Sequence, residues 1–176
     1  MNVIIKHNAT TFGIAIGVLS ILVTTIIYAT DLSLFVNPWI GLITIALQIT
    51  IGIILVSKTK KELGNAISFK EGFTVYFLAA VIGVVLSTLF SIILFNYIDP
   101  SIKDTLRDVS IQFTRDMMAK FNAPESSVNE AVEKMKTTDN YSPGNLLFGM
   151  LTSFVICAVF AAILGLIFKN KSSYRE

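Results

Sequence analysis

Four windows of the chain contain no Asp, Glu, Lys or Arg: His7–Thr30, Leu32–Ser57, Gly72–Ile98 and Asn140–Phe168. A helix needs about 20 mostly apolar residues to cross roughly 30 Å of hydrocarbon, and each window reaches that length. Inside lipid the backbone must satisfy its own hydrogen bonds, so each crossing is predicted to be helical. The soluble alternative makes the four segments buried core helices, and it fails on composition. The 176 residues are 53% hydrophobic and only 15% charged, against about 25% charged in ordinary soluble domains. With a mean hydropathy of +0.70, too little polar chain remains to cover four such helices. The sequence reads as an all-α protein, a four-transmembrane-helix bundle forming one integral-membrane domain over 1–176. The spans fall at about 9–29, 38–57, 72–98 and 143–168. An extracytoplasmic amphipathic helical hairpin, at about 100–138, is expected between helices 3 and 4.

The first window is not read as a cleaved signal peptide. Its apolar run Phe12–Ile27 is longer than a usual signal core, and Ile27-Tyr28-Ala29 is a poor cleavage site. Asn2 is not the glycine that myristoylation requires, and the last residues, Tyr-Arg-Glu, are no prenylation signal.

Charge assigns the sides. The N-terminus, the link Lys58–Glu71 and the tail from Lys169 carry eight basic and three acidic residues, a balance of +5. Asp31 with Asp99–Asp139 carries six basic and nine acidic residues, or −3, and the two sum to the formal +2. Lys and Arg near span ends stay cytoplasmic, so Lys58, Lys60, Lys61 and Lys70 read as topology determinants, or more sharply as a docking site for a cytoplasmic partner. They also face anionic lipid, where each contributes about 1 kcal/mol of attraction. Tyr28, Phe35, Trp39, Tyr97 and Tyr141 fall at the opposite boundary as an aromatic belt. The expected protein is multi-pass, with both termini in the cytoplasm.

Local signals punctuate the helices. Asn37-Pro38 reads as an N-cap with proline at the first helical position of span 2, and Ser142-Pro143 repeats the device at span 4. Gly64 is placed to end span 2 a turn or more beyond the membrane. Ser68 and Glu71 form a capping box for span 3, and Ser127 with Glu130 reads as a second. Asp99-Pro100 stops span 3 and starts a new helix, whose apolar stripe is Ile102, Leu106, Val109, Phe113, Met117 and Phe121. Asn122-Ala123-Pro124 breaks it, and Val128, Ala131, Val132 and Met135 make a shorter stripe beyond. Three fates stay open for this hairpin: folding back on the bundle, lying in the outer headgroup layer, or meeting a partner.

Helices in lipid associate through close backbone approach, which needs small residues about four apart on one stripe. Span 4 has Gly149, Ser153, Cys157, Ala161 and Gly165; span 3 has Ala79, Gly83, Ser87 and Ser91; span 1 has Ala9, Gly13 and Gly17. These read as packing within the bundle, with homodimerisation through one stripe as the alternative. Cys157 is then a small packing residue and not a nucleophile. Gln48, the one long polar side chain near midspan, is expected to hydrogen-bond across to another helix rather than to bind a ligand.

The chemistry of most membrane machines is missing. An ionisable group at midspan costs roughly 2.5–3.5 kcal/mol on insertion scales, and none lies deep in any span, which argues against proton-coupled transport. One histidine, His7, and one cysteine exclude multi-ligand metal sites and a disulfide framework. His7 sits at a span edge, too far out to serve as a hydrolase base. No glycine-rich phosphate loop precedes a Lys-Ser or Lys-Thr pair. No cofactor and no nucleic-acid partner is expected.

The link Lys60-Lys61-Glu62-Leu63-Gly64-Asn65-Ala66-Ile67-Ser68-Phe69-Lys70-Glu71-Gly72-Phe73 joins spans 2 and 3 in four-helix order. The exit Asn-Tyr-Ile-Asp-Pro at Asn96–Pro100 and a Met- and charge-rich outer segment follow. Over essentially the whole length this resembles the bacterial integral-membrane domain-of-unknown-function family 4199. The resemblance implies a location, the bacterial cytoplasmic (inner) membrane, and a fold but no activity, and it carries over no catalytic residue. The expected function is that of a non-catalytic inner-membrane protein, an accessory, scaffold or assembly factor for a membrane or envelope component. Its partners would be membrane lipid and an unidentified membrane protein or a second copy. The alternative is a small transporter or lipid-handling protein working as a dimer, with Gln48, Thr44, Ser87 and Ser91 lining a polar path.

Overall fold

A computed structural model of the chain describes residues 2–170. Its helices are α1 (Val3–Thr30), α2 (Pro38–Glu62), α3 (Phe69–Ile93), α4 (Ile102–Lys120), α5 (Glu125–Thr137) and α6 (Pro143–Phe168), with a 3-10 turn at Leu32–Phe35 and a π-helical turn at Leu94–Ile98 that prolongs α3. Among the described residues there is no strand. Four of these helices, α1, α2, α3 with its π turn, and α6, are long and apolar enough to cross a membrane.

The local signals act as read. Asn37 accepts from the Trp39 N–H at 2.9 Å and Pro38 opens α2. Ser142 accepts from the Asn145 N–H at 3.3 Å and Pro143 opens α6. At the end of α2, Gly64 takes φ +81°, its N–H reaches the Lys61 carbonyl, and the Asn65 N–H reaches that of Lys60. This is the paired carbonyl satisfaction of a Schellman ending. Ser68 and Glu71 form the reciprocal capping box of α3. Two boundaries differ from the sequence reading. α1 begins at Val3, because Asn2 caps it through the Ile4 N–H. α5 begins at Glu125, directly after Pro124, so Ser127 lies inside the helix and does not cap it. Pro124 has already set the helix start.

α3 is the hub. Glycines on α1 and α3 let those two helices run parallel in near backbone contact. A Cβ on Gly13 would stand 2.8 Å from the Ala79 carbonyl oxygen, and one on Gly83 would stand 2.6 Å from Ile16 Cγ2. On another side α3 meets α6 antiparallel, where a Cβ on Gly72 would lie 3.2 Å from Gly165 Cα. α2 closes the bundle over only half its length. Its buried residues, Gly52, Leu55, Val56 and Thr59, all lie in its second half, and the first half leans on lipid-facing side chains such as Leu42 and Ile43, both exposed. The core gathers Ile5, Leu55, Val75, Tyr76, Ala79 and Leu164. Large apolar side chains also face outward, among them Leu42 on α2 and Phe148, Leu151, Val155 and Ile167 on α6. Lipid is the solvent in which such a surface is stable.

The bundle has two polar ends. The near end holds the start of α1, the α2–α3 link and the end of α6. There Asn8, 1% exposed, donates to Thr59 Oγ1 at 3.1 Å and to Glu62 Oε2 at 2.6 Å, which ties α1 to α2. Lys60 Nζ donates to the Phe168 carbonyl at 2.9 Å, a cation on an unsatisfied helix C-terminus. Asn170 pairs with Ile67 through its backbone N–H at 3.0 Å and its side-chain oxygen at 3.2 Å. The far end holds α4 and α5.

Candidate functional site

At the far end the exit from α3 does the positioning. The Asp99 N–H reaches the Leu94 carbonyl five residues back at 2.9 Å, which makes the last turn a π turn. Asn96, carried on that turn, donates to the Ile92 and Tyr141 carbonyls, both at 3.1 Å. Its own oxygen accepts from Lys103 Nζ at 2.6 Å, and the same ammonium reaches Asp139 Oδ2 at 3.1 Å. Three parts of the chain therefore meet on one lysine: the end of α3, the first turn of α4 and the segment that joins α5 to α6. Lys103 is 17% exposed there, so these bonds are partly shielded from water. Below them Leu94, Phe95, Ile102 and Leu106 are buried, and Phe95 meets Phe35 and Tyr141 edge-on at 6.0 and 5.0 Å.

The same end holds two carboxylates with lowered pKa. The Ser101 hydroxyl donates to Asp99 and, with a smaller contribution from the Tyr28 hydroxyl at 3.2 Å, holds its carboxyl below the usual value. Asp31 is lowered by the Ser33 backbone N–H, which it accepts at 2.8 Å. Burial pushes the Tyr141 phenol up.

This anchoring splits the α4 stripe in two. Ile102 and Leu106 are buried, whereas Met117 and Phe121 are exposed. Between α4 and the chain entering α2 runs a groove of about 580 Å³. Val36, Pro38 and Trp39 form one wall and Val109, Phe113 and Met117 the other. Gln112, Asp116 and Lys120 line its rim. α5 packs on α4 through buried Val132, and Thr114 Oγ1 donates to Met135 Sδ at 3.5 Å.

The family model described as "Protein of unknown function (DUF4199)" matches residues 11–170. The chain belongs to that family. No curated protein and no solved structure matches it. The DUF4199 match takes in most of α1 and all of α2 to α6, and so includes both walls of the groove.

In this DUF4199 chain the small residues named from sequence divide into two groups. Gly13, Gly17 and Gly83 lie between α1 and α3, and Ala161 and Gly165 are buried against α3. Gly149 is exposed and a Cβ there would meet nothing within 4 Å. It lies 16 residues, about 160° around the helix, from Gly165 and so off the side of α6 that meets α3, and the close packing within the bundle read for it is corrected. Ser153 is half-buried, with its hydroxyl bonded to the Gly149 carbonyl of its own helix at 2.9 Å.

Near midspan a second, smaller hollow of about 30 Å³ opens where all four long helices meet. Gln48, Tyr76, Ser87, Ser20 and Cys157 line it. Gln48 makes no side-chain hydrogen bond to another helix among the described residues, contrary to the sequence reading. Across the hollow it stops short of bonding to Ser20, Ser87 or Tyr76, the polar residues that share the lining. The hollow exceeds the 10–15 Å³ that one water centre requires.

Of the lysines, Lys60 is engaged on α6 and Lys58 stands 5.5 Å over the Phe12 ring, whereas Lys61 and Lys70 are exposed. Asn8 and Lys103 escaped the sequence reading. The usable signal for Asn8 was its place beside Ala9 on the face that Ile5 and Gly13 bury. For Lys103 none existed, since its partners lie 7 and 36 residues away.

Proposed function

We propose that this protein is a non-catalytic component of a bacterial cytoplasmic membrane that works by contact, with both termini in the cytoplasm and α4 and α5 on the outer side. It serves as an accessory or scaffold for another membrane or envelope component. The observation that supports this most is the division of α4. Its first half is fixed to the bundle by Lys103, Asn96 and Asp139, and its second half presents Met117 and Phe121 outward. A helix held rigidly at one end with an open apolar stripe at the other suits recognition, because little ordering entropy remains to be lost on binding. The polar groups at the far end are engaged in structure: Lys103 bonds to Asp139 and Asn96, and Asp99 accepts from Ser101 and Tyr28.

Photocrosslinkers placed at Met117 and Phe121 in intact cells test this. A discrete adduct with one membrane or envelope protein is the expected result. Adducts with lipid alone, together with no stoichiometric partner after purification in mild detergent, would overturn it. Tags on the two ends reporting different compartments would overturn the orientation.

The transporter alternative has the midspan hollow on its side. Its 30 Å³ accommodates water and nothing larger. Thr44 and Ser91 lie outside its lining, each hydroxyl bonded to a carbonyl of its own helix, so the four polar residues do not join into one path. Solute flux in vesicles that falls with Gln48→Leu would restore this alternative.

A further inference from the structure

We propose that the groove between α4 and the start of α2 binds a phospholipid with a zwitterionic, phosphoethanolamine-type headgroup. Its size comes first. At about 580 Å³ it lies in the 300–1,000 Å³ range of small-molecule sites. Its place comes second. The wall built by Pro38 and Trp39 continues directly onto the lipid-facing flank of α2, where Trp39, Leu42 and Ile43 are 71%, 57% and 60% exposed. An acyl chain can pass from membrane to groove along that flank without crossing a polar barrier, so the occupant the geometry favours is one with a long apolar tail. Phe113 and Met117 complete the apolar channel from the α4 side.

Charge selects the headgroup. The rim carries one acid and one base, Asp116 and Lys120, one helical turn apart. They are not paired with each other. Asp116 is held by the Gln112 amide at 2.9 Å, and among the described residues Lys120 forms no ion pair. Lys120 is thus free to receive a phosphate and Asp116 an ammonium, the two charges that a phosphoethanolamine carries side by side. A phosphoglycerol headgroup satisfies Lys120 but sets its only charge beside a carboxylate of the same sign. This inference goes beyond the contact role proposed above and does not depend on it, since a chain with no protein partner still has this groove.

Trp39 is the only tryptophan of the chain, so indole fluorescence reports on the groove and the lipid beside it with no other tryptophan contributing. The full-length protein is reconstituted in phosphatidylglycerol vesicles with a minor fraction of phosphatidylethanolamine whose acyl chains are brominated, a contact quencher of indole. The same fraction of brominated phosphatidylglycerol supplies the baseline set by bulk lipid. Quenching by the ethanolamine lipid is expected to correspond to roughly fivefold enrichment over that baseline, the ratio that about 1 kcal/mol of headgroup preference produces. Lys120→Ala and Asp116→Ala are surface substitutions, and each is expected to return quenching to baseline with thermal melting unchanged. Equal quenching by the two lipids, or a preference that survives both substitutions, overturns the assignment.

Discussion

Replacing Gly165 by Leu sets a side chain against main chain rather than against another side chain. The new Cβ would lie 3.1 Å from both the Phe69 carbonyl oxygen and the Phe73 nitrogen, the backbone of α3, with a Phe69 ring carbon also at 3.1 Å. Neither backbone atom can rotate away, so α6 must move off α3 and give up the close approach of Gly165 to Gly72 as well. Overpacking costs typically 1–3 kcal/mol, and a clash that only helix separation relieves belongs at about 3. At 2–4 °C per kcal/mol for a chain of this size, melting should fall by about 6–12 °C. Gly149→Leu is the internal control. It adds the same side chain to the same helix and the same gain in helix propensity, about 1 kcal/mol, but its Cβ meets nothing. Thermal unfolding in mild detergent, followed by the helical signal, compares the two. If Gly165→Leu melts within a degree or two of the parent, or if Gly149→Leu falls as far, the close-approach account of α3 and α6 is wrong.

Asn8→Ala removes the donor shared by Thr59 and Glu62 and should cost about 1–2 kcal/mol. Combined with Thr59→Ala it should show a coupling above about 0.5 kcal/mol in a double-mutant cycle, and strict additivity would count against a shared network. Lys103→Met cuts the bonds to Asn96 and Asp139. Amide exchange in the first turn of α4 should then quicken by roughly tenfold, for about 1.4 kcal/mol lost, while exchange in α1 stays as it was. Asp99 titrates at a lowered pKa because it accepts from Ser101 and Tyr28. A carboxylate lowered on folding stabilises the protein in full above its ordinary value of 3.8, and the contribution is lost as pH falls through the lowered one. Exchange around the α3–α4 junction should accelerate below pH 4, and Asp99→Asn should flatten that part of the profile.

What could be read from the sequence was whatever depends on near neighbours along the chain. The four long apolar helices, the Asn37-Pro38 and Ser142-Pro143 openings, the Gly64 ending and the Ser68–Glu71 capping box each rest on near neighbours along the chain, and each is present. The arrangement of the spans was not available in that way. Gly149 and Gly165 were read on one small-residue stripe of α6, but 16 residues at about 100° each set them about 160° apart around the helix, and which of the two α3 would meet was not in the spacing. The lysines show the same limit. Charge counting puts Lys60 and Lys61 in one class, yet only the fold brings the Phe168 carbonyl, 108 residues on, to Lys60. The groove was half legible. The α4 stripe was read in full, but which part would be buried depends on the anchoring of its first turn by Lys103 and Asp139, a pairing across 36 residues.

The widened turn at Leu94–Ile98 also fixes how this protein tolerates changes of length. A helix advances about 100° per residue, so the one surplus residue held in that turn rotates everything after it by that amount relative to an unbroken helix. Excising any single residue between Leu94 and Ile98 would let the ladder relax into ordinary spacing. The lost residue and the lost widening then cancel, so Asp99 and the first turn of α4 keep their direction toward Tyr28 and Asn96. A single deletion at Tyr97 or Ile98, both exposed, should therefore be borne better than one in the regular part of α3, where nothing takes up the missing residue.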